Sequence, residues 1–134
     1  MSISFYALLP PSQKALSLEQ IQEAVTRLLS THAKPSFEFE EPPFGGEINL
    51  LVKVPGWWVR FFIEHDEDVL SDSAHIAEST AGAPSWAKSC GKRMRVLFGE
   101  DPSKTYTNEI LFISDWLIQE VNAAVYVPQE KSFW

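Results

Sequence analysis

The run E-H-D-E-D at residues 64–68 is the first candidate for chemistry, because it offers four carboxylates and an imidazole, all of which bind metal ions. His75 and Glu78 follow closely, so His65, His75 and a carboxylate would hold a transition metal if the fold brought them together. A calcium loop of the EF-hand type also needs a central glycine and a closing glutamate at fixed spacing, and the run lacks both. A solvated acidic loop that follows a strand is the simpler interpretation, and we therefore predict no metal site.

Cys90 is the second candidate, as a nucleophile with His75 or His32 as its general base. It is the only cysteine, which excludes an internal disulfide and any zinc site with two thiolates from one chain. The surrounding W-A-K-S-C-G-K-R has no context typical of a thiol enzyme, and the chain has no glycine-rich phosphate loop. We predict no catalytic residue, no cofactor and no enzymatic activity. A small metal- or ligand-binding enzyme around His65 and His75 is the alternative.

The composition is that of a folded, acidic protein. With 134 residues, 45% of them hydrophobic and 13% aromatic, the chain can bury a core as a single domain over residues 1–134. The net charge of −7 argues against a nucleic-acid-binding protein, which needs a surplus of Lys and Arg on one face. The same charge would attract a basic partner.

The N-terminal segment indicates a cytoplasmic protein. It has no basic lead, and Pro10 and Pro11 end its apolar run too early for a signal peptide. No stretch approaches the roughly 20 apolar residues that a membrane span needs, so we expect no membrane partner.

Two stretches have the pattern of amphipathic helices. Ser17 and Gln20 form a capping box, and the apolar residues that follow recur at helical spacing, which predicts a helix over residues 18–31. The same spacing predicts a second helix that starts at residue 107 or 108 and ends at 121.

Residues 47–54 and 57–64 are predicted to form a hairpin across Pro55-Gly56, a pair that suits the central positions of a type II turn. In the register that we predict, the numbers of two opposed residues sum to 111. One face of the hairpin is then entirely apolar and the other is mixed, and a slip by one residue would reverse both faces. The mixed face of the second strand carries Trp58, Arg60, Phe62 and Glu64.

The order of the elements favours an α+β fold. Strands are also expected over residues 3–9, 36–41, 92–98 and 124–127, and a short helix over 71–79 with Ser71 or Asp72 as its cap. The chain then runs strand, helix, three strands, short helix, strand, helix, strand. We predict a two-layer sandwich, with a largely antiparallel sheet of about five to six strands and two main helices packed on one face.

The mixed face is the strongest candidate for a binding surface, because aromatic anchors next to arginine are typical of interface hot spots. Residues 64–78 add six acids and no Lys or Arg, whereas residues 88–95 hold four bases and no acid. An acidic strip of this kind can steer and dock a basic partner. The predicted partner-binding residues are Trp58, Arg60, Phe62, Glu64, Asp66, Glu67 and Asp68. Burial of the aromatic face in a homodimer is a further alternative.

The C-terminal segment resembles the close of some small bacterial immunity proteins from interbacterial toxin cassettes. The residues that carry this resemblance are D-W-L-I-Q-E-V at 115–121 and N-A-A-V-Y-V-P-Q at 122–129, followed by an aromatic end. These proteins share no universal motif, so no site residue is transferred to this chain. The resemblance implies a small, acidic, non-enzymatic, cytoplasmic protein that binds and occludes a toxin domain, and the acidic strip makes a basic toxin the expected partner. If this strip docks the partner, charge reversal at Asp66, Glu67 and Asp68 should slow association and leave the melting temperature nearly unchanged.

Overall fold

The computed structural model describes residues 3–11, 16–29, 35–41 and 47–134, and these ranges hold three α-helices and seven strands. The helices are α1 (Leu18–Leu28), α2 (Glu67–Ser79) and α3 (Thr107–Gln119). The strands are β1 (Ser4–Leu8), β2 (Ser36–Glu40), β3 (Asn49–Val54), β4 (Trp57–Glu64), β5 (Arg93–Phe98), β6 (Ala124–Val127) and β7 (Ser132–Phe133). A 3-10 turn, Ala87–Ser89, precedes β5.

All seven strands form one antiparallel sheet in the order β2-β3-β4-β5-β1-β6-β7. The predicted α+β class is therefore confirmed. The sheet is larger than predicted because β7 pairs with β6, and a strand of two residues is too short to show an alternating pattern in the sequence.

The main core lies between one face of the sheet and the helices α1 and α3. Its side chains come from both helices and from alternate positions of the strands, as the strand period of two requires. Fully buried members include Ile21, Val25, Ile113, Leu117, Phe5, Phe61 and Val96. The predicted capping box of α1 is present, since Gln20 N donates to Ser17 Oγ and Ser17 N donates to Gln20 Oε1. Residues 30–31, at the end of the predicted first helix, lie outside the described residues.

The predicted hairpin register is confirmed. The ladder extends from Val54↔Trp57 to Leu50↔Phe61, and Gly56 has the positive φ of 80° that a type II turn requires. The hydroxyl of Tyr106 donates to the carbonyl of Pro55 at 2.6 Å, which ties this turn to the start of α3. Ile48 differs from the prediction, because its side chain is 44% exposed although it belongs to the apolar face.

The second face of the sheet is half covered. Residues of α2 and of the 3-10 turn, with neighbours from the sheet, pack over the side of the sheet at β1 and β6, where Leu8, Ala77, Ala87, Cys90 and Ala124 meet. The fold thus has a partial third layer that the two-layer prediction did not include. Trp58, Arg60 and Phe62 on β4 remain half-buried. Leu51, which the predicted register places opposite Arg60 on the mixed face, is only 3% exposed.

The start of α2 was predicted wrongly. We expected an acidic loop and a helix that begins near Ser71, but α2 begins at Glu67. Asp66 is its N-cap, and Oδ1 accepts a hydrogen bond from Val69 N at 3.0 Å. Glu67 and Asp68 occupy the first turn, where negative charge interacts favourably with the helix dipole. The acidic run is therefore a helix start and not a loop.

Because Asp66 caps α2, its removal should destabilise the protein. We expect Asp66→Ala to lower the free energy of unfolding by about 1 kcal/mol, whereas Asp66→Asn should change it by a few tenths because asparagine is an equally good cap. Thermal denaturation would show this as a fall of about 3–5 °C for the alanine variant. An unchanged melting temperature in Asp66→Ala would mean that this cap contributes nothing to the stability of the protein.

Candidate partner-binding surface

The mixed face of β4 forms a surface that we call the aromatic–arginine surface, made of Trp58, Arg60, Phe62, Glu64 and Arg95. The first four alternate along β4, and Arg95 of β5 lies opposite Phe62 in the register. All five side chains are half-buried. The two-residue period of the strand places them side by side on one face.

Each aromatic ring of this surface is stacked against a guanidinium. Arg60 lies over the Trp58 ring at 4.6 Å from its centroid, and Arg95 lies over Phe62 at 4.4 Å. Such cation–π contacts contribute about 0.5–1 kcal/mol each at exposed sites. They hold the rings in fixed orientations, so the surface presents aromatic groups that are already ordered.

Trp58 lies directly against the backbone of Gly99. A Cβ atom at residue 99 would come within 2.9 Å of the indole Nε1, which is closer than real Cβ contacts allow. Gly99 N also donates to Trp58 O at 2.8 Å. Because glycine has no Cβ atom, the Trp58 ring can lie this close to the backbone of residue 99.

Glu40 of β2 anchors the other end of Arg60. Its Oε1 accepts hydrogen bonds from Arg60 Nε at 3.0 Å and from Asn49 Nδ2 at 2.7 Å. The hydrogen bond from Arg60 is the largest cause that lowers the pKa of the Glu40 carboxyl, and it outweighs the opposing effect of burial. The ion pair fixes Arg60 in the position from which it stacks on Trp58.

We expect the stabilisation from Glu40 to be lost in acid. Because the folded pKa lies below the ordinary value of 4.5, the contribution is complete above pH 4.5 and decreases as the pH falls through the lower, folded pKa. Glu40→Gln should therefore destabilise the protein at neutral pH and have a shrinking effect below that value. Urea unfolding between about pH 7 and pH 3 measures this. The control is Glu38→Gln, whose carboxylate is exposed, and a Glu40→Gln penalty that does not change with pH would refute the expectation.

Arg93 links the surface to α2. Its Nε donates to Glu64 Oε1 at 2.8 Å, its Nη1 donates to Asp72 Oδ2 at 3.2 Å, and its guanidinium lies 4.4 Å from the Tyr6 ring centroid. Burial alone would lower the pKa of Arg93, but the two carboxylates more than offset it and raise the pKa. The alternation of polar and apolar residues over 92–98 predicts that Arg93 points away from the main core, toward solvent. Its side chain is 8% exposed because α2 lies beside it.

Arg95 approaches the same carboxylate more loosely. Its Nε is buried and lies 3.4 Å from Glu64 Oε2, without the geometry of a hydrogen bond. Glu64 thus sits between two guanidiniums, one firmly bonded and one held mainly over Phe62. Glu64, a predicted binding residue, therefore has a structural role as the partner of Arg93 and also belongs to the aromatic–arginine surface.

Four acids of α2, of which Glu67 and Asp68 were predicted binding residues, form what we call the acidic ridge: Glu67, Asp68, Asp72 and Glu78. All four are exposed, and no Lys or Arg occurs on the helix. The ridge borders the aromatic–arginine surface, because Asp72 and Glu64 bond to the same guanidinium. Asp72 was not among the predicted binding residues, since only the packing of α2 against β5 reveals its position.

The two histidines of the alternative enzyme hypothesis do not meet. His65 contacts Glu47, while His75 is exposed on α2, eight residues beyond the helix start and therefore about 12 Å along its axis. Within the described part of the chain, no group of three or more His, Cys, Asp and Glu side chains is placed to hold a metal ion. His32 lies outside the described residues.

Cys90 is a packed residue of the partial third layer. It is 2% exposed, and its Sγ lies 2.9 Å from the carbonyl oxygen of Lys92 and 3.3 Å from that of Leu9. The thiol can donate a hydrogen bond to either carbonyl. These contacts explain Cys90 as part of the core.

No protein-family model, curated protein or solved structure matches the chain. In the described ranges, no helix has the length and apolar character needed to cross a membrane.

Proposed function

We propose that this protein is a cytoplasmic, non-enzymatic immunity protein that binds and occludes a basic toxin domain. The observation that carries the proposal is the aromatic–arginine surface, where Trp58 and Phe62 are ordered by stacked arginines yet remain half-buried. Aromatic residues and arginine dominate binding hot spots because they bury a large area at a low entropic cost. The C-terminal resemblance to immunity proteins supports the same function.

The acidic ridge determines the charge that we expect of the partner. Glu67, Asp68 and Asp72 project beside the surface, and the whole chain carries a net charge of −7. A basic protein would be attracted during diffusion and oriented toward the ridge, while its apolar groups met Trp58 and Phe62. Within the surface itself, Arg60 is paired with Glu40 and Arg95 lies 3.4 Å from Glu64, so these two arginines would not repel a basic partner strongly.

The test has two stages, the capture of a partner on immobilised protein and then a growth assay in bacteria. Three proteins are compared: the wild type, Trp58→Ala,Phe62→Ala, and the control Leu111→Ala,Phe112→Ala, which removes two exposed apolar side chains from α3. We expect the wild type and the control to retain one bacterial protein in a stoichiometric complex, and the surface variant to lose it. Production of that protein should arrest bacterial growth, and co-production of the wild type or control should restore it. A captured protein that is harmless, or that the surface variant binds equally well, would overturn the proposal.

The ridge makes a separate prediction about rates. We expect Glu67→Lys,Asp68→Lys to slow association with the captured partner by about tenfold at low salt, with a smaller effect at high salt, because charges at an interface rim act mainly on the association rate. Glu19→Lys,Glu23→Lys, which reverses two exposed charges on α1, is the matched control. Surface plasmon resonance at two salt concentrations measures the rates. Equal association rates for the two variants would remove the ridge from the binding surface.

Self-association is a second candidate, favoured by two exposed apolar side chains on the helix-facing side of the sheet. Phe39 of β2 and Ile48, just before β3, are each 44% exposed, and β2 is an edge strand of the described sheet. A homodimer could bury these residues or the aromatic–arginine surface. Light scattering over a range of concentrations decides the matter, since a constant monomer mass would exclude this candidate.

A further inference from the structure

A cleft of about 410 Å³ opens where β4 leads into α2, at the junction of the aromatic–arginine surface and the acidic ridge. Its volume lies within the range of about 300–1,000 Å³ that is typical of ligand-binding pockets, so it has ample room for a long side chain. Ile48, Ile63 and Phe62 provide apolar walls, while Glu47, Asp66 and Arg95 provide polar groups. From its shape, walls and charge we infer that the cleft receives an arginine side chain of the partner, an inference that rests on the proposed function.

The apolar walls suit the stem of a long basic side chain. Ile48 is 44% exposed, so an occupant that covers it gains hydrophobic burial. Arginine and lysine both lay their methylene groups along such walls while the charged end stays near polar groups. Phe62 already stacks with the guanidinium of Arg95 at 4.4 Å, so its ring is held in place as a wall, and the stem of an occupant would pack mainly against Ile48 and Ile63.

The charge of the cleft selects a cation. Three carboxylates line it, those of Glu47, Glu64 and Asp66, together with the guanidinium of Arg95 and the imidazole of His65. Glu64 bonds to Arg93, and Oδ1 of Asp66 accepts from Val69 N. Asp66 Oδ2 and the exposed carboxylate of Glu47, which also contacts His65, are therefore the acceptors left for a ligand. An anionic ligand would meet repulsion from these two acids.

Arginine fits the cleft better than lysine because of its geometry. Its planar fork donates to two carboxylate oxygens at once, whereas an ammonium group is a strongly hydrated point charge. An arginine from the partner would compete with His65 for Glu47. The cleft would therefore act as the anchor pocket within the wider surface.

The experiment uses N-acetyl-arginine methylamide as the probe, followed by amide chemical shifts of the isotopically labelled protein. We expect saturable shifts at residues around the cleft, with a dissociation constant on the order of millimolar for so small a ligand. The lysine analogue should bind more weakly, and the glutamate analogue should leave these shifts unchanged. Shifts that are absent, that lie elsewhere, or that are equal for arginine and glutamate would overturn the inference.

Two variants check that the carboxylates are responsible. Glu47→Gln,Asp66→Asn removes both charges but keeps a side chain that can cap α2, and it should weaken probe binding by at least about tenfold. Glu19→Gln,Glu23→Gln on α1 should bind the probe as the wild type does. Undiminished binding in the first variant would refute the assigned acceptors.

The two proposals can fail separately. A captured toxin that binds the protein through Trp58 and Phe62, together with no probe binding at the cleft, would overturn the arginine pocket and leave the proposed function in place. Probe binding at the cleft without any growth-inhibiting partner would overturn the immunity function and leave a cationic-ligand site.

Discussion

Replacing Arg93 with alanine is expected to lower the free energy of unfolding by about 2–3 kcal/mol, or roughly 10 °C in melting temperature. The Arg93 side chain is 8% exposed, and its guanidinium bonds to Glu64 and to Asp72 while it covers the Tyr6 ring. Breaking a fully buried pair costs about 3–5 kcal/mol. The lower figure follows because Glu64 and Asp72 are themselves 25% and 55% exposed, so water can solvate them when Arg93 is removed.

Two further variants isolate the cause. Arg93→Met keeps apolar contact with Tyr6 but removes the charge, so its destabilisation measures the ion pairs without the packing. Arg60→Ala is the matched control, since Arg60 also stacks on an aromatic ring and bonds to a carboxylate but is 35% exposed. It should cost less than about 1 kcal/mol. A Tm for Arg93→Met equal to that of the wild type would show that the buried pairs contribute no net stability, and would leave specificity of packing as their role.

Arg93 also illustrates which parts of the fold a sequence can predict. Its alternation with Met94 and Arg95 places it correctly on the second face of β5. Its burial follows from the packing of α2 against that face, an interaction between residues far apart in the chain. Local periodicity contains no information about such a neighbour, so the sequence predicts an exposed arginine where the structure has a buried one.

The hairpin and the start of α2 mark the limits of prediction from pattern. The register of β3 and β4 was predictable because two apolar faces and one turn impose the same pairing, and any slip would expose the core. The first turn of α2 was missed by the search for apolar spacing, because E-H-D-E-D offers none and the helix buries only Val69, Ser73 and Ile76. Negative residues at a helix N-terminus are stabilising, and this signal was present in the sequence as Asp66 followed by two acids.

The candidate surface was predictable in its composition and not in its contacts. Alternation along β4 identifies Trp58, Arg60 and Phe62 as neighbours on one face. The stacking of Arg95 on Phe62 depends on the pairing of β4 with β5, which are separated in the chain by α2 and the 3-10 turn. The bordering position of the acidic ridge depends on the same nonlocal packing. The predicted binding residues therefore remain a hypothesis, and only the folded structure shows how their side chains contact one another.

The adjacent tryptophans of β4 are expected to respond very differently to truncation. Trp57→Ala should lower the free energy of unfolding by about 3–5 kcal/mol, a large part of the stability of a domain of this size. Trp57 is 4% exposed, its ring stacks on Tyr106 at 4.6 Å, and its Nε1 donates to Gly99 O at 2.9 Å. Trp58→Ala should cost no more than about 1.5 kcal/mol, because Trp58 is half-buried and its ring packs against Arg60 and Gly99 at the surface.

Urea unfolding of the two variants, followed by circular dichroism, tests this contrast. Trp57→Phe is the intermediate control, since it keeps an aromatic ring against Tyr106 but leaves the Gly99 carbonyl without its donor, and it should cost about 1–2 kcal/mol. If Trp58→Ala were as destabilising as Trp57→Ala, the second face of the sheet would be a core in its own right. Its aromatic residues would then be explained by stability, and no partner would be needed to account for them. A small cost for Trp58→Ala would instead mean that folding does not require this large, ordered aromatic side chain, which is the result that a binding role predicts.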